Sequence, residues 1–161
     1  MPASMALPGD VEHALLSALT AGLPGVNIAA IAASDINDAD ELELRMPCAR
    51  TRYAGSEYRN QGDNQWLTYE VTHIFEIWVA AEDLTSKEAQ RTATLAIVAE
   101  VLPLIAGARL RLPDTSVTEP TALKSIGKLP DDIVGQIYIC TIEVCAIAQF
   151  PGLLASGNED N

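Results

Sequence analysis

Two stretches of the chain carry a strand rhythm and two carry a helical one. Leu67, Tyr69, Val71, His73, Phe75, Ile77 and Val79 alternate with Thr68, Glu70, Thr72, Ile74, Glu76 and Trp78. A period of two with one apolar and one mostly polar face predicts a half-buried strand over 67–80. Residues 136–149 also alternate, but both faces are apolar. Ile137, Ile139 and Ile147 point one way; Tyr138, Cys140, Ile142, Val144, Ala146 and Ala148 point the other. That is the signature of an interior strand. Val11, Ala14, Leu15, Ala18 and Leu19 recur at helical spacing, so a helix is expected over 11–21, with Asp10 as its N-cap and Gly22 and Pro24 closing it. A second helix begins at the capping box Thr85-Ser86-Lys87-Glu88 and presents Leu95, Val98, Val101, Leu102 and Ile105 along one side. Pro103, which lacks an amide proton, is expected to kink that helix or end it near Leu102.

Between these elements the pattern weakens. Residues 26–33 and 42–46 read as strands, and Arg109-Leu110-Arg111-Leu112 as a short one. Residues 113–135 contain three prolines and two glycines and receive no element. Residues 50–66 show no apolar period. They read as a long flexible loop, either solvated or ordered against a partner. That loop holds Arg50, Arg52 and Arg59, three of only ten basic residues in the chain. The polar tail 151–161 is expected to be disordered. The whole predicts an α/β (α+β) fold: one domain over 1–150, with a mixed, mainly antiparallel sheet of about five strands and two main helices packed on it.

Composition then narrows the function. The 161 residues suffice to bury a core without disulfides or metals. A net charge of −12 repels phosphate backbones, which argues against nucleic-acid recognition. No apolar run reaches the ~18 residues of a membrane span, and the first residues lack the pattern of a signal peptide. These points favour a cytoplasmic protein that avoids membranes. The three cysteines, Cys48, Cys140 and Cys145, match no metal or redox spacing and read as reduced core residues. Five residues along one strand place Cys140 and Cys145 on opposite faces.

Catalytic chemistry is not legible. His13 and His73 are the only histidines. His13 falls in the first turn of a helix, and His73 lies on the apolar face of its strand, where a packing role is the simpler reading. The acidic pairs Asp38/Asp40, Glu82/Asp83 and Asp131/Asp132 fall in expected turns, where solvation explains them. No phosphate-binding glycine motif is present. No cofactor, metal site or catalytic residue is therefore assigned. The candidate functional residues are instead interface residues: Arg50, Arg52 and Arg59, with Trp78 on the more polar face of its strand.

The order of elements carries a further indication. A short helix and two strands precede a long polar stretch and the strand Tyr-Glu-Val-Thr-His-Ile-Phe-Glu-Ile-Trp-Val. A helix ending Leu-Pro-Leu-Ile-Ala-Gly leads to Arg-Leu-Arg-Leu-Pro and the final strand Ile-Tyr-Ile-Cys-Thr-Ile-Glu-Val. Over about residues 7–150 this layout resembles the tail terminator (tail-completion) proteins of Mu-like phages and prophages. The resemblance implies a structural, non-enzymatic protein that forms a ring, generally hexameric, on the tail tube. Its partners would be its own copies, the tail tube protein and the head connector protein. It would be found in the host cytoplasm during assembly and then in the virion tail. The family offers no motif whose residues transfer one by one. Two other readings stay open: a small-molecule-binding or enzymatic α/β domain using His73, and an accessory subunit of a non-viral assembly.

Overall fold

The computed structural model describes residues 4–31, 47–61, 66–81, 86–128 and 137–151; for Trp66, Leu67 and Pro151 it describes the backbone only. Helix α1 spans Pro8–Gly22. Strands β1 (Asn27–Ala30), β2 (Cys48–Asn60) and β3 (Trp66–Ala80) follow, then helix α2 (Lys87–Ile105), β4 (Ala122–Lys128) and β5 (Ile137–Pro151). The strands form one sheet in the order β1-β2-β3-β5-β4. β1 runs parallel to β2, and every other pairing is antiparallel. The expected α+β class, with a mixed sheet and two helices packed on it, is what the chain adopts.

Both helices cover the same side of the sheet. Val11, Leu15 and Leu19 of α1 and Val98, Val101 and Ile105 of α2 share one cluster with Val71, Phe75, Ile77 and Val79 of β3 and with Cys140, Ile142, Val144, Ala146 and Ala148 of β5. The odd-numbered face of β3 and the even-numbered face of β5 therefore point inward, as their alternation requires. β5 is an interior strand, between β3 and β4, but its second face is not covered like the first: Ile147 is 49% exposed. Cys140 faces the core and Cys145 the opposite side; all three cysteines are free thiols.

Several local expectations are corrected. α1 starts at Pro8, not after Asp10; Leu7 is the N-cap and makes no side-chain cap bond. Proline suits the first helical turn, where its missing N–H has no partner to lose, and Asp10 falls inside that turn. The cap of α2 is Ser86, whose hydroxyl accepts from the Ala89 amide at 3.0 Å; Thr85 lies outside the described residues. The helix passes through Pro103 to Ile105, since Val101 and Ile105 are both fully buried and only one late backbone bond is lost. Its buried stripe is Thr94, Val98, Val101 and Ile105, while Leu95 is exposed. Thr94 can be buried because its Oγ1 accepts from the Ala81 amide at 3.1 Å.

The largest correction concerns residues 50–66. Residues up to Asn60 belong to the thirteen-residue strand β2, paired with β3 along its length. An irregularity between Tyr53 and Gly55 hides it. Tyr53 pairs with Phe75 and Gly55 with Ile74, so Ala54 is an extra residue. Gly55 takes φ +140, open to glycine and rarely to other residues. Ala49, Thr51 and Tyr53 face the helices before this bulge; Ser56, Tyr58 and Asn60 do so after it. The inward positions change parity mid-strand, and no single period survives in the sequence.

β4 occupies residues expected to carry no element, and all seven of its residues are exposed. Among the described residues, the strand it pairs with is β5. The expected strand 109–112 is reduced to one bridge, Arg111 to Val117. The expected strand 42–46 and tail residues 152–161 lie outside the described residues.

Candidate interface on the open sheet face

The even-numbered residues of β3 point away from the helices. Trp78 pairs with Arg50, Glu76 with Arg52 and Glu70 with Arg59. All four candidate interface residues therefore share one face, and the bulge is the reason. With regular alternation, Arg59 would face opposite to Arg50 and Arg52; the extra residue Ala54 returns it to their side.

Two of these arginines are tied into the sheet. Arg50 Nη1 donates to the carbonyl of Asn27 at 2.6 Å, joining β2 to the edge strand β1. Arg52 Nη1 meets Glu76 Oε1 at 2.7 Å, and the Trp78 indole N–H donates to the same oxygen at 3.1 Å. Arg52 Nε is buried and has no acceptor among the described residues. Trp78 is not freely exposed. It is half-buried against Cys48, Ala80 and Ile137, a small second cluster on this face. The exposed apolar residue on this face is Ile147, beside Glu70 and Arg59 towards one end; the half-buried Ile139 lies beside Trp78 towards the other, with the half-buried Ile74 between. Arg59, near the end of β2, is exposed.

The opposite face holds an arrangement that the sequence did not reveal. His73 is fully buried. Its Nε2 lies 2.6 Å from the Ala6 carbonyl, which can only accept, so Nε2 carries the proton. Nδ1 is then the acceptor for the Ser56 hydroxyl at 2.5 Å, and Ser56 Oγ is also bonded to the Tyr53 hydroxyl. The imidazole packs between Tyr53 and Phe75. Burial lowers the His73 pKa and its bond to Ala6 opposes that only in part, so the neutral ring is favoured. Ser56 escaped notice because it lay in the presumed loop; the β-forming Tyr53 and Tyr58 around Gly55 were the available signal.

A serine hydroxyl on an imidazole held by a third group has the outline of a nucleophile and base. His73 also fastens the segment before α1 to the sheet through Ala6, and a second bond, from the Gln149 amide to the Ser4 carbonyl at 2.7 Å, holds the same segment independently. His13 is exposed on α1. Among the described residues no group of His, Cys, Asp and Glu is placed to hold a metal ion, and no helix is long and apolar enough to cross a membrane.

No family model matches the chain, and no curated protein does.

Proposed function

We propose that this protein is a structural subunit of phage or prophage tail assembly, a tail terminator that caps the tail tube and joins it to the head connector as a ring of its own copies. The observation that carries the reading is the one-sided sheet. Helices cover one face, while the other carries Arg50, Arg52 and Trp78 towards one end and Arg59 with the exposed Ile147 towards the other. Arginine and aromatic residues with a partly apolar centre suit a protein–protein interface. A net charge of −12 also suits a ring through which DNA passes without adhering.

The test is tube growth with the cognate tube protein, followed by electron microscopy. Addition of this protein is expected to shorten and sharpen the tube length distribution; an unchanged distribution overturns the reading. Arg59→Ser combined with Ile147→Thr, which remove the charge and the apolar group without adding a carboxylate beside Glu70, should weaken capping and leave the fold intact.

One observation favours a second reading, a hydrolytic enzyme: the 2.5 Å contact of Ser56 Oγ with His73 Nδ1. A fluorophosphonate probe separates the two. Labelling of Ser56 that is lost in His73→Gln supports the enzyme, and an unlabelled protein leaves His73 as a fastener.

A further inference from the structure

A groove of about 530 Å³ lies between α1 and residues 109–113, on a part of the molecule that the tail reading does not use. Its floor is apolar, made by Ala14 and Ala18 of α1 with Leu110 and Leu112, and Arg109 and Arg111 stand at its rim. Its size falls within the range of ligand-binding clefts.

The backbone along this groove is half used. Residues 108–112 form one arm of a tight hairpin. The amides of Ala108, Leu110 and Leu112 donate to Thr121 Oγ1, Thr118 Oγ1 and the Ser116 carbonyl. The carbonyls of the same three residues accept from the amides of Thr121, Thr118 and Thr115. Every one of these bonds belongs to an even-numbered residue. Arg111 and Val117 form a pair whose own amides and carbonyls point away from each other, as the flanking bonds require. Among the described residues, the backbone groups of Arg109 and Arg111 have no hydrogen bond and their guanidiniums no ion pair. This is a short extended edge with free donors and acceptors, flanked by two uncommitted cations in a chain of net charge −12.

We propose that this groove is a docking site for an extended acidic segment of a protein partner, which adds to the Arg109–Arg111 edge as an antiparallel strand. Strand addition uses the free amides and carbonyls, and alternate side chains give selectivity. Residues of the incoming strand opposite Arg109 and Arg111 lie two apart and on the same face as the guanidiniums, so each presents a carboxylate to one arginine. The residue between them faces the same way as Leu110 and meets the apolar floor. The site thus selects acid–apolar–acid. Asp10 at the margin of the groove repels a further carboxylate there. The inference stands apart from the tail reading: capping can fail while the peptide binds, and the reverse.

The probe is a fluorescein-labelled peptide, Val-Glu-Val-Glu-Val, followed by fluorescence anisotropy. It is expected to bind, to weaken as salt rises, and to weaken about tenfold or more in Arg109→Ser with Arg111→Ser. Both arginines are exposed, so the double variant should keep its melting temperature. The same peptide N-methylated at both glutamates should not bind the unaltered protein, because strand pairing is blocked while the charge is kept. Absence of binding, equal binding by the N-methylated peptide, or unchanged binding by a folded double variant each overturns the proposal. Should the double variant not fold, the N-methylated peptide on the unaltered protein decides alone.

Discussion

Two isoleucines on one strand test the one-sided packing directly. Ile142 is fully buried, paired with Phe75 on β3 and Leu123 on β4, under the helices. Ile147 sits on the other face and is 49% exposed. Replacing isoleucine by alanine removes about three carbons, each worth about 0.8 kcal/mol when fully buried, or roughly 2.4 kcal/mol in all. At Ile142 the vacated space is enclosed, and a cavity contribution on the order of 1–2 kcal/mol adds to this. Ile142→Ala should therefore cost about 3.5–4.5 kcal/mol. At Ile147 about half the transfer energy is at stake and solvent enters the gap, so Ile147→Ala should cost about 1 kcal/mol or less. Urea melts of the monomer measure both, provided the denaturant slopes agree. A loss below about 1 kcal/mol at Ile142, or equal losses at the two sites, would refute the assignment of the helices to one face.

Other consequences are equally direct. Burial lowers the His73 pKa below its ordinary value of about 6.5, so the unfolded chain binds the proton more readily. The neutral His73 contribution should be complete above the unfolded value and decline as pH falls below it towards the folded value. His73→Gln should remove that slope; identical pH profiles for the two proteins would contradict it. Glu12, raised by burial against a smaller opposing bond from Thr51, acts in the other sense nearer the carboxylate range, so the comparison is the difference between protein and variant. Of the three arginines of β2, limited trypsin digestion should spare Arg50, where the strand is flanked on both sides, and Arg52, which is ion-paired to Glu76, and should cut at the exposed Arg59; early cleavage at Arg50 would contradict β2. A thiol reagent should modify the half-exposed Cys145 before Cys48 and Cys140, because both are buried and burial pushes the Cys140 thiol up to about 11. Equal rates at all three would contradict the packing.

What could be read from sequence follows from where burial is regular. β3 and β5 keep one parity from end to end, so the inward face of β3 and the alternation of β5 were legible residue by residue; which face of β5 turns inward was not, because both are apolar. α1 was legible for the same reason, with Val11, Leu15 and Leu19 buried as spaced. β2 was not, because Ala54 shifts its parity and four of its last residues are exposed. β4 was not, because no face of it is buried and its pairing to β5 leaves no trace in its own residues. The stripe of α2 was legible at Val98, Val101 and Ile105, and only its first member was misplaced by one position, because a threonine with a satisfied hydroxyl is buried where leucine was expected. Arg50, Arg52, Arg59 and Trp78 were identifiable as types, but their common face depends on a bulge that composition does not encode. The Ser56–His73 contact was hidden with the strand that carries Ser56.

The pairing of β3 with β5 also orders events during synthesis. Ala80 and Ile137 are the closest of their partners along the chain, and α2 and β4 are made between them. β2 and β3 can close as a local hairpin soon after they are made, yet the other edge of β3 must wait for the last strand. At ~5–20 residues per second, that apolar edge stays open for several seconds on every nascent chain. During this interval the early-made α1 is the cover at hand for the inward face of β3, and neighbouring chains on one message are the hazard. Expression yield should therefore be limited by the time that β3 waits for its partner, and lower temperature or chaperone supply should raise it without any change in the stability of the finished protein.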